Sequence, residues 1–542
     1  TQDELQKAKE NGQTGAQYDS IRQRIEARAL KVVQDISSNL LTITLVSRNR
    51  SLGFRVHRQM RLRKANAAGL PLVFVPLHRS HFDYILMTFT LYLTGLRPPL
   101  VAAGDNMRIP FFGWFLRGCG AFYIRRRVEG SEYHGDPTYK SALRAYILNS
   151  LSAGNNLEFF IEGGRTRTGK PQTPKAGILS VIMDAYLDGT IDDALLVPAT
   201  LNYDKLVDGN FVREQLGMPK QMETFWSALR GIWRTLNTNH GSIRVDFNQP
   251  ISLKVGCFFI FILQQIVCLG LPVTDAAQAT ALMCTNVISY VLLTEARRGA
   301  SLATLTASVA ARQTALAAEG RDLGYTGEAR QAVKHALDML GRGLIRREGS
   351  GERLIVRPHT SIAASLELAY YANAVVAHYA PAAIVESLVC SSPATQVRQS
   401  ELLAASLQLC EVLSHEFIVC APCQRIQERM LDAIDALEAS QLILRDKVAV
   451  LADLGLSLDP AEDRYCCRLP KIGILGGGEA VSTDAINNCL RLLRQWGALG
   501  VQAERGARTL RLAPPYESAP ALQALCHNVY KFNMDTPLLH AK

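Results

Sequence analysis

The sequence predicts an α/β domain, a mixed sheet flanked by helices, followed by a mainly α-helical C-terminal region with small helix-hairpin units. Residues 70–254 alternate short apolar runs with helical patterns, which is typical of strands and helices packed in layers. Residues 274–450 are rich in alanine and leucine and keep a helical pattern. With 542 residues, 48% of them apolar, the chain can bury more than one core.

Apolar runs in the α/β part predict six strands, and the composition predicts the domain limits. The strands are 72–77, 100–103, 121–124, 157–161, 194–201 and 242–247. The domains are an N-terminal helical region (1–66), the α/β domain (67–254), an apolar segment with a connecting helix (255–300), and a mainly helical C-terminal domain (301–542) with a linker near 451–483.

Residues 255–273 form an apolar run of nearly membrane-spanning length. Gln264 and Gln265 lie at its centre, and amides are costly in lipid, so an interfacial or buried helix is favoured over a span. The composition changes abruptly at both ends, so an insertion foreign to the protein is an alternative hypothesis.

Two stretches of the C-terminal half share one pattern. Residues 335–358 and 490–514 each predict a helix, a glycine turn, a strand, a charged turn and a second strand. Such units can read DNA, but in an alanine- and leucine-rich chain they are more often scaffold. Residues 362–389 are apolar but interrupted by charged residues and a proline, which favours a buried pair of helices.

The net charge of +10 suits an anionic substrate, an anionic membrane surface or nucleic acid. Nucleic acid is the weakest of these, because lysines are not clustered and only 7% of residues are aromatic. The 12 cysteines are scattered, which indicates reduced thiols in a cytosol-facing compartment. Cys420 and Cys423 have the spacing of half a zinc site, but no second pair is evident, so we predict no metal.

The strongest candidate for a reaction centre is residues 78–83 (HRSHFD), directly after the apolar run 72–77. A histidine held by a carboxylate keeps the tautomer whose other ring nitrogen can accept a proton. Ser80 and Asp83 also form a capping-box pattern, so we predict Ser80 as the N-cap and Asp83 as the third helical residue. The alternative is that Asp83 only caps the helix and His78 is a surface turn residue.

Two further strands end in basic residues that could bind phosphate. The strand 121–124 runs into three arginines, 125–127, although a solvated basic turn is the alternative. Residues 159–170 (FFIEGGRTRTGK) nearly complete a P-loop, but Pro171 stands where a serine or threonine should bind Mg²⁺, so we reject a nucleotide hydrolase. A fourth motif, residues 197–204 (VPATLNYD), has a proline near its start, which is typical of an edge strand.

Taken in order, these four motifs resemble those of the glycerolipid acyltransferase family. Residues 215–220, 243–250, 322–325 and 367–373 resemble the mitochondrial type of glycerol-3-phosphate acyltransferase. The resemblance implies an acyltransferase domain over 67–254 that transfers a fatty acyl group from acyl-CoA to the sn-1 hydroxyl of glycerol 3-phosphate. The chain departs from the family at 255–273, where we expect a polar loop.

The resemblance also implies roles for individual residues. His78 would be the general base and Asp83 its orienting carboxylate, and backbone amides after Ser80 could stabilise the oxyanion. Glycerol 3-phosphate would bind to Glu162, Arg165, Arg167 and Arg126. CoA would bind to Arg126, Arg127, Lys140 and Lys175, although each of these lysines alone could be a solvated surface charge.

The predicted partners are acyl-CoA and glycerol 3-phosphate, both substrates, and a membrane surface. No other cofactor, no metal and no nucleic acid is expected, and the sequence does not predict protein partners. The resemblance places the protein on the mitochondrial outer membrane, facing the cytosol. The alternatives are an enzyme that acylates dihydroxyacetone phosphate and a non-catalytic lipid-binding relative.

Overall fold

The computed structural model of the chain describes residues 53–57, 59–67, 69–80, 82–105, 112–118, 120–125, 137–206, 211–216, 240–254, 266–325, 327–350, 353–391, 397–421, 424–446, 464–467, 483–504, 507–516, 518, 520–521 and 523. Arg126, Arg127, Cys423, residues 255–265 and most of the predicted linker 451–483 therefore lie outside the described residues. The chain forms two compact units. The first comprises Thr1–Arg165, Pro174–Val207 and Met222–Ala281, and the second comprises Thr166–Thr173, Asp208–Gln221 and Leu282–Lys542.

The first unit is built on one mixed sheet with the order β1-β7-β6-β2-β5-β3-β4, and β8 pairs with β6. The strands are β1 (Gly53–His57), β2 (Leu72–Pro76), β3 (Leu100–Gly104), β4 (Ala121–Ile124), β5 (Leu157–Glu158), β6 (Leu195–Tyr203), β7 (Ser242–Phe247) and β8 (Ile251–Ser252). Its helices are α1 (Gln59–Ala67), α2 (Asp83–Leu93), α3 (Phe112–Gly118), α4 (Pro137–Ser152), α5 (Gly177–Leu187) and α7 (Ile266–Ala279). This confirms the α/β prediction with a mixed sheet.

The core of this unit lies along its central strands. Every residue of β2 is buried, and the Phe74 and Phe247 rings meet edge to face at 6.2 Å. β2 pairs in parallel with both β5 and β6, so its C-terminal end lies beside theirs. Side chains that follow these strands are therefore brought together at the C-terminal ends of the three strands.

All six predicted strands are present, with different limits for four of them. β5 is shorter than predicted because the chain turns after it, where the Gly163 amide donates to the Phe160 carbonyl at 2.9 Å. β1 was missed: it lies in the region predicted as helical and pairs in parallel with β7. The helical prediction is therefore wrong for these five residues.

Pro198 lies in an interior strand, which corrects the expectation of a sheet edge. On one side of β6, Leu195 and Leu196 pair with β8, and the pairing with β7 starts only at Ala199. The proline occupies the change of partner, where a missing N–H breaks no ladder, and its carbonyl accepts from the Asn248 amide at 2.9 Å. On its other side β6 pairs continuously with β2.

The predicted apolar segment 255–273 continues into α7, of which Ile266–Ala279 is described. Val273, Ala276 and Ala279 are buried, and the helix packs against β6 and β7. The described end of the segment is therefore part of a buried helix.

The second unit contains the predicted helix-hairpin units. The described elements are α6 (Phe211–Gln215), α8 (Cys284–Thr294), β9 (Ala300–Ser301), α9 (Leu302–Ala318), α10 (Ala329–Leu344), β10 (Ile345–Glu348), β11 (Ile355–Pro358), α11 (Ile362–Ser391), β12 (Val397–Arg398), α12 (Gln399–Val412), α13 (Ile426–Ala439), β13 (Ile443–Asp446), β14 (Arg464–Cys467), α14 (Thr483–Gln495), β15 (Leu499–Glu504) and β16 (Ala507–Leu512). α10 with β10 and β11, and α14 with β15 and β16, confirm both predictions.

The helix-hairpin unit of α10, β10 and β11 belongs to a larger motif that occurs twice in the second unit, which the sequence did not predict. In each copy a short strand precedes two helices and a hairpin, and that strand pairs with the last strand of the hairpin, giving the sheet orders β10-β11-β9 and β12-β14-β13. The second copy escaped detection because a long segment separates β13 from β14.

Helix α11 is a single helix of 30 residues, which corrects the predicted pair of helices. Pro381 lies within it without ending it, because packing against α8, α10, α12 and α13 stabilises the helix on several sides. The part Ile362–Val389 is long and apolar enough to cross a membrane. However, buried residues such as Leu368, Val375 and Val385 place it in the core of the unit, so these contacts are those of a core helix.

Candidate active site

His78 and Asp83 lie together where β2 ends and α2 begins. The His78 Nδ1 and Asp83 Oδ2 atoms are 2.9 Å apart. Helix α2 begins at Asp83, so the predicted start of the helix, with Ser80 as N-cap, is two residues too early. One arm of the predicted capping box is present, because the Ser80 amide donates to Asp83 Oδ2 at 2.8 Å. The Ser80 hydroxyl instead accepts from the Phe82 amide.

Four donors converge on the buried Asp83 carboxylate. Oδ2 accepts from His78 and from the amides of Arg79 and Ser80, at 2.7 and 2.8 Å for the two amides. Oδ1 accepts from the Tyr203 hydroxyl, which the last residue of β6 provides. The carboxylate is thus fixed from both sides, and the histidine that it orients is fixed with it.

The imidazole of His78 is held by its surroundings as well as by Asp83. Its ring stacks on the Phe160 ring with a centroid distance of 4.0 Å. The His78 amide donates to Glu162 Oε2 at 2.8 Å, and Glu162 is almost completely buried. The His78 side chain is 15% exposed and that of Asp83 is not exposed, so only the histidine can meet a substrate.

Glu158 lies next to this centre, on β5, and the sequence analysis gave it no role. It is fully buried, and neither carboxyl oxygen has a hydrogen-bond partner among the described residues. Burial raises the pKa of Glu158 well above its usual value, and the Asp83 charge raises it further. Both effects favour the protonated, uncharged form of this carboxyl group.

Part of the predicted phosphate site lies in the same unit as the dyad. Glu162 and Arg165 follow β5, and Arg165 is half-buried. Lys175 was predicted to bind CoA, but its side chain lies across the Gly163 backbone and its amide donates to the Ile161 carbonyl at 2.8 Å. The structure therefore groups Lys175 with the Glu162 segment.

The other predicted binding residues lie elsewhere. Arg167 belongs to the second unit, where its Nε is 3.2 Å from Glu214 Oε2. Lys140 is exposed on α4. Arg126 and Arg127 are outside the described residues, and Arg125, next to them, stacks over the Tyr139 ring.

The predicted oxyanion donors are already occupied. The amides of Arg79 and Ser80 donate to Asp83, and those of Phe82 and Asp83 donate to Ser80 Oγ and to the Ser80 carbonyl. The prediction concerned the amides after Ser80, and of these the Phe82 and Asp83 amides already have acceptors within the turn.

Two protein families match the chain. The family described as Acyltransferase matches residues 53–202. The family described as Glycerol-3-phosphate acyltransferase C-terminal region matches residues 211–255 and 273–469, so residues 256–272 fall between the two parts of this match.

Individual relatives match over much of the chain. The human protein named glycerol-3-phosphate acyltransferase 1, mitochondrial, is 30% identical over 67% of this chain and 51% of its own length. A probable mitochondrial glycerol-3-phosphate acyltransferase of Caenorhabditis elegans is 31% identical over 70% of this chain and 59% of its own. The chain thus spans about half the length of these relatives. A solved 1-acyl-sn-glycerophosphate acyltransferase of Thermotoga maritima gives a TM-score of 0.26 at 17% identity, covering 43% of this chain and 73% of that one.

Most of the α/β sheet and the turn that carries His78 and Asp83 lie within residues 53–202, the part of the chain that matches the acyltransferase family. The second match covers most of the helical unit. Residues 53–202 thus match an acyltransferase domain, and most of residues 211–469 match a glycerol-3-phosphate acyltransferase C-terminal region.

Proposed function

We propose that this protein transfers a fatty acyl group from acyl-CoA to the sn-1 hydroxyl of glycerol 3-phosphate, giving 1-acyl-glycerol 3-phosphate and CoA. The observation that carries the proposal is the dyad: a partly exposed histidine bonded through Nδ1 to a buried aspartate that four donors hold. The names of the relatives supply the substrates, since they are glycerol-3-phosphate acyltransferases.

The proposed reaction needs one base and no covalent enzyme intermediate. Nε2 of His78 removes the proton of the acceptor hydroxyl as its oxygen attacks the thioester carbonyl carbon. The C–S bond breaks as the tetrahedral intermediate collapses, and the imidazolium returns the proton to the departing CoA thiolate. Asp83 keeps the Nδ1 proton in place and stabilises the imidazolium.

We assign the acceptor phosphate to the arginines that follow β5. Arg165 is in the same chain segment as Glu162, which contacts the His78 amide, and Lys175 lies across this segment. Guanidinium groups bind phosphate through paired hydrogen bonds, so Arg165 and Arg167 are the proposed ligands, together with Arg126. Arg126, Arg127, Lys140 and Lys175 remain proposed ligands of CoA.

We further propose that the protein acts on a membrane surface, at the mitochondrial outer membrane facing the cytosol. The matched animal relatives are named mitochondrial, and the acyl chain of substrate and product belongs in a lipid phase. The net charge of +10 favours an anionic lipid surface.

The decisive experiment offers palmitoyl-CoA with either glycerol 3-phosphate or dihydroxyacetone phosphate to the purified protein and measures CoA release. We expect turnover with glycerol 3-phosphate. Preference for dihydroxyacetone phosphate would identify the sister activity, and no CoA release with either acceptor would favour a non-catalytic lipid-binding protein.

His78→Ala tests the assigned base. We expect turnover to fall about a thousandfold, because a positioned general base commonly contributes 10²–10⁴-fold. His359→Ala is the matched control, since His359 is in the second unit and contacts Ser361. Activity of His78→Ala close to that of the control would refute the assignment.

A further inference from the structure

The loop that carries Arg167 is held by the second unit, although most of its motif belongs to the first. Residues Thr166–Thr173 group with the second unit, whereas Arg165 and Pro174 on either side group with the first. Of the predicted phosphate-binding arginines, Arg165 therefore belongs to the first unit and Arg167 to the second. Contacts within the second unit can thus set the position of one of them.

Side chains of the second unit bind the loop backbone. Asn373 of α11 donates from Nδ2 to the Thr168 carbonyl at 2.7 Å. Gln215 of α6 donates from Nε2 to the Arg167 carbonyl. Gly169 has a φ of +77°, and a side-chain carbon there would collide with the Tyr370 carbonyl, so the loop lies directly against α11.

An ion pair holds the end of the loop. Lys170 Nζ is 2.7 Å from Glu416 Oε2, and the side chains are only 17% and 21% exposed. Lys170 also lies over the Phe417 ring, and Asn488 donates to Glu416 Oε1 at 3.0 Å. Burial raises the pKa of Glu416, but Lys170 and Asn488 outweigh it, so the pKa of Glu416 is lower than usual and its carboxylate is charged at neutral pH.

The loop is also tied to itself, so these contacts act on it as one body. Thr166 Oγ1 donates to the Lys170 carbonyl at 2.9 Å and accepts from the Gly169 amide at 3.1 Å. A displacement at Thr168 or Lys170 therefore moves Arg167 as well, because the turn between them is closed by its own hydrogen bonds.

We propose that Asn373 and Glu416 are positioning residues for the acceptor: they touch no substrate, but they set the loop so that Arg167 can bind the phosphate of glycerol 3-phosphate. The inference rests on the proposed function. It assigns to the helical unit a role in acceptor recognition, distinct from the chemistry at His78.

The test compares Asn373→Ala with a matched control in the intact protein. Asn286 of α8 makes a comparable bond to α11, from Nδ2 to the Tyr371 carbonyl at 2.9 Å, and its Oδ1 accepts from the Met283 amide. We expect Asn373→Ala to raise the KM for glycerol 3-phosphate about fivefold, the effect of one typical hydrogen bond. The KM for palmitoyl-CoA and kcat should stay within about twofold of wild type. Asn286→Ala should lower thermal stability at least as much without this change in KM.

Glu416→Gln is the second variant, because it keeps the size of the side chain and removes the ion pair. It should raise the same KM and leave the KM for palmitoyl-CoA unchanged. An unchanged KM for glycerol 3-phosphate in both variants, or an equal rise in both KM values, would overturn the proposal.

Limited trypsin digestion gives a readout that does not need activity. Trypsin cuts after Arg165 and Arg167 but not after Lys170, which Pro171 follows. If Asn373 holds the loop, both cuts should be faster in Asn373→Ala than in wild type and in Asn286→Ala. If the wild type is inactive but Asn373→Ala is cut faster than wild type, the proposed function is rejected and the contact between Asn373 and the loop is kept. If Asn373→Ala is cut at the wild-type rate, the contact itself is rejected.

Discussion

Asp83 is the residue on which the candidate site depends. It starts α2, accepts two amides of the preceding turn, orients His78 and accepts the Tyr203 hydroxyl. A carboxylate with this many donors cannot turn away from the imidazole without losing several hydrogen bonds at once, so the dyad is preorganised before any substrate binds.

Tyr203→Phe tests the contribution of the donor that comes from β6. Removing the hydroxyl leaves Asp83 Oδ1 with one donor fewer, so we expect kcat to fall about tenfold while both KM values change little. Tyr123→Phe is the control, since it removes a hydroxyl bonded to the Gly113 carbonyl in the same unit. Equal kcat values for the two variants would show that Tyr203 does not support the dyad.

Glu158→Gln tests the uncharged acid behind the dyad. Because burial and Asp83 raise the pKa of Glu158 above its value in the unfolded chain, the folded protein binds the proton more tightly, and wild type loses stability as pH rises above the unfolded pKa. Glutamine removes this dependence. We expect the melting temperature of the variant, relative to wild type, to increase as pH rises above the unfolded pKa of a glutamate, and a difference that is constant with pH would contradict a raised pKa of Glu158.

Residues close in sequence could be predicted at this scale, and distant ones could not. His78 and Asp83 were found because five positions separate them and one turn brings them together. Phe160, Glu162 and Tyr203 reach the same turn only through the pairing of β2 with β5 and β6. Partners across a sheet have no fixed spacing in sequence, so only the quoted strand-end motifs indicated that polar groups gather there.

At the scale of elements, strong local signals were reliable and pairing was not. β4 and β7 have the predicted limits, since each is a short apolar run between polar turns. β1 has no such run, and its pairing with β7 stabilises it from a position far along the chain. Pro198 was wrongly predicted to mark an edge strand. A proline in the sequence shows that one backbone donor is missing, but it does not show that two partner strands, β8 and β7, meet at that position.

The segment 256–272 supports a prediction at this scale. It lies between the two parts of the family match, and the buried α7 residues Val273, Ala276 and Ala279 lie beyond it. We therefore expect a variant lacking 256–265, which leaves α7 whole, to keep the activity and the melting temperature of wild type. Loss of soluble protein on deletion would show that the segment belongs to the fold, and a messenger RNA that lacks the segment would identify it as foreign.

At the scale of the whole molecule, each unit is assembled from separated stretches of chain. The chain passes between the two units five times, and the second unit takes Thr166–Thr173 and Asp208–Gln221 from within the first half. The sequence analysis predicted contiguous domains, because composition changes along the chain but carries no record of such returns.

Separate halves test this assembly. In a fragment of residues 282–542, Glu416 loses Lys170 and Asn373 loses the Thr168 carbonyl, so we expect a lower melting temperature than that of the same residues in the intact protein. Hydrogen exchange at the amides of α11 and α12 measures this directly. Equal protection in fragment and intact chain would show that the inserted stretches do not stabilise the unit.

The returns of the chain also have a genetic consequence. Every residue of the dyad is encoded upstream of position 282, yet Asn373 and Glu416, which hold the arginine loop, are encoded downstream. Under the proposed function, a chain-terminating mutation between positions 282 and 373 would therefore keep His78 and Asp83 and still abolish growth that depends on the enzyme. A missense allele at position 373 would instead be leaky, and a generous supply of glycerol 3-phosphate should restore its carriers.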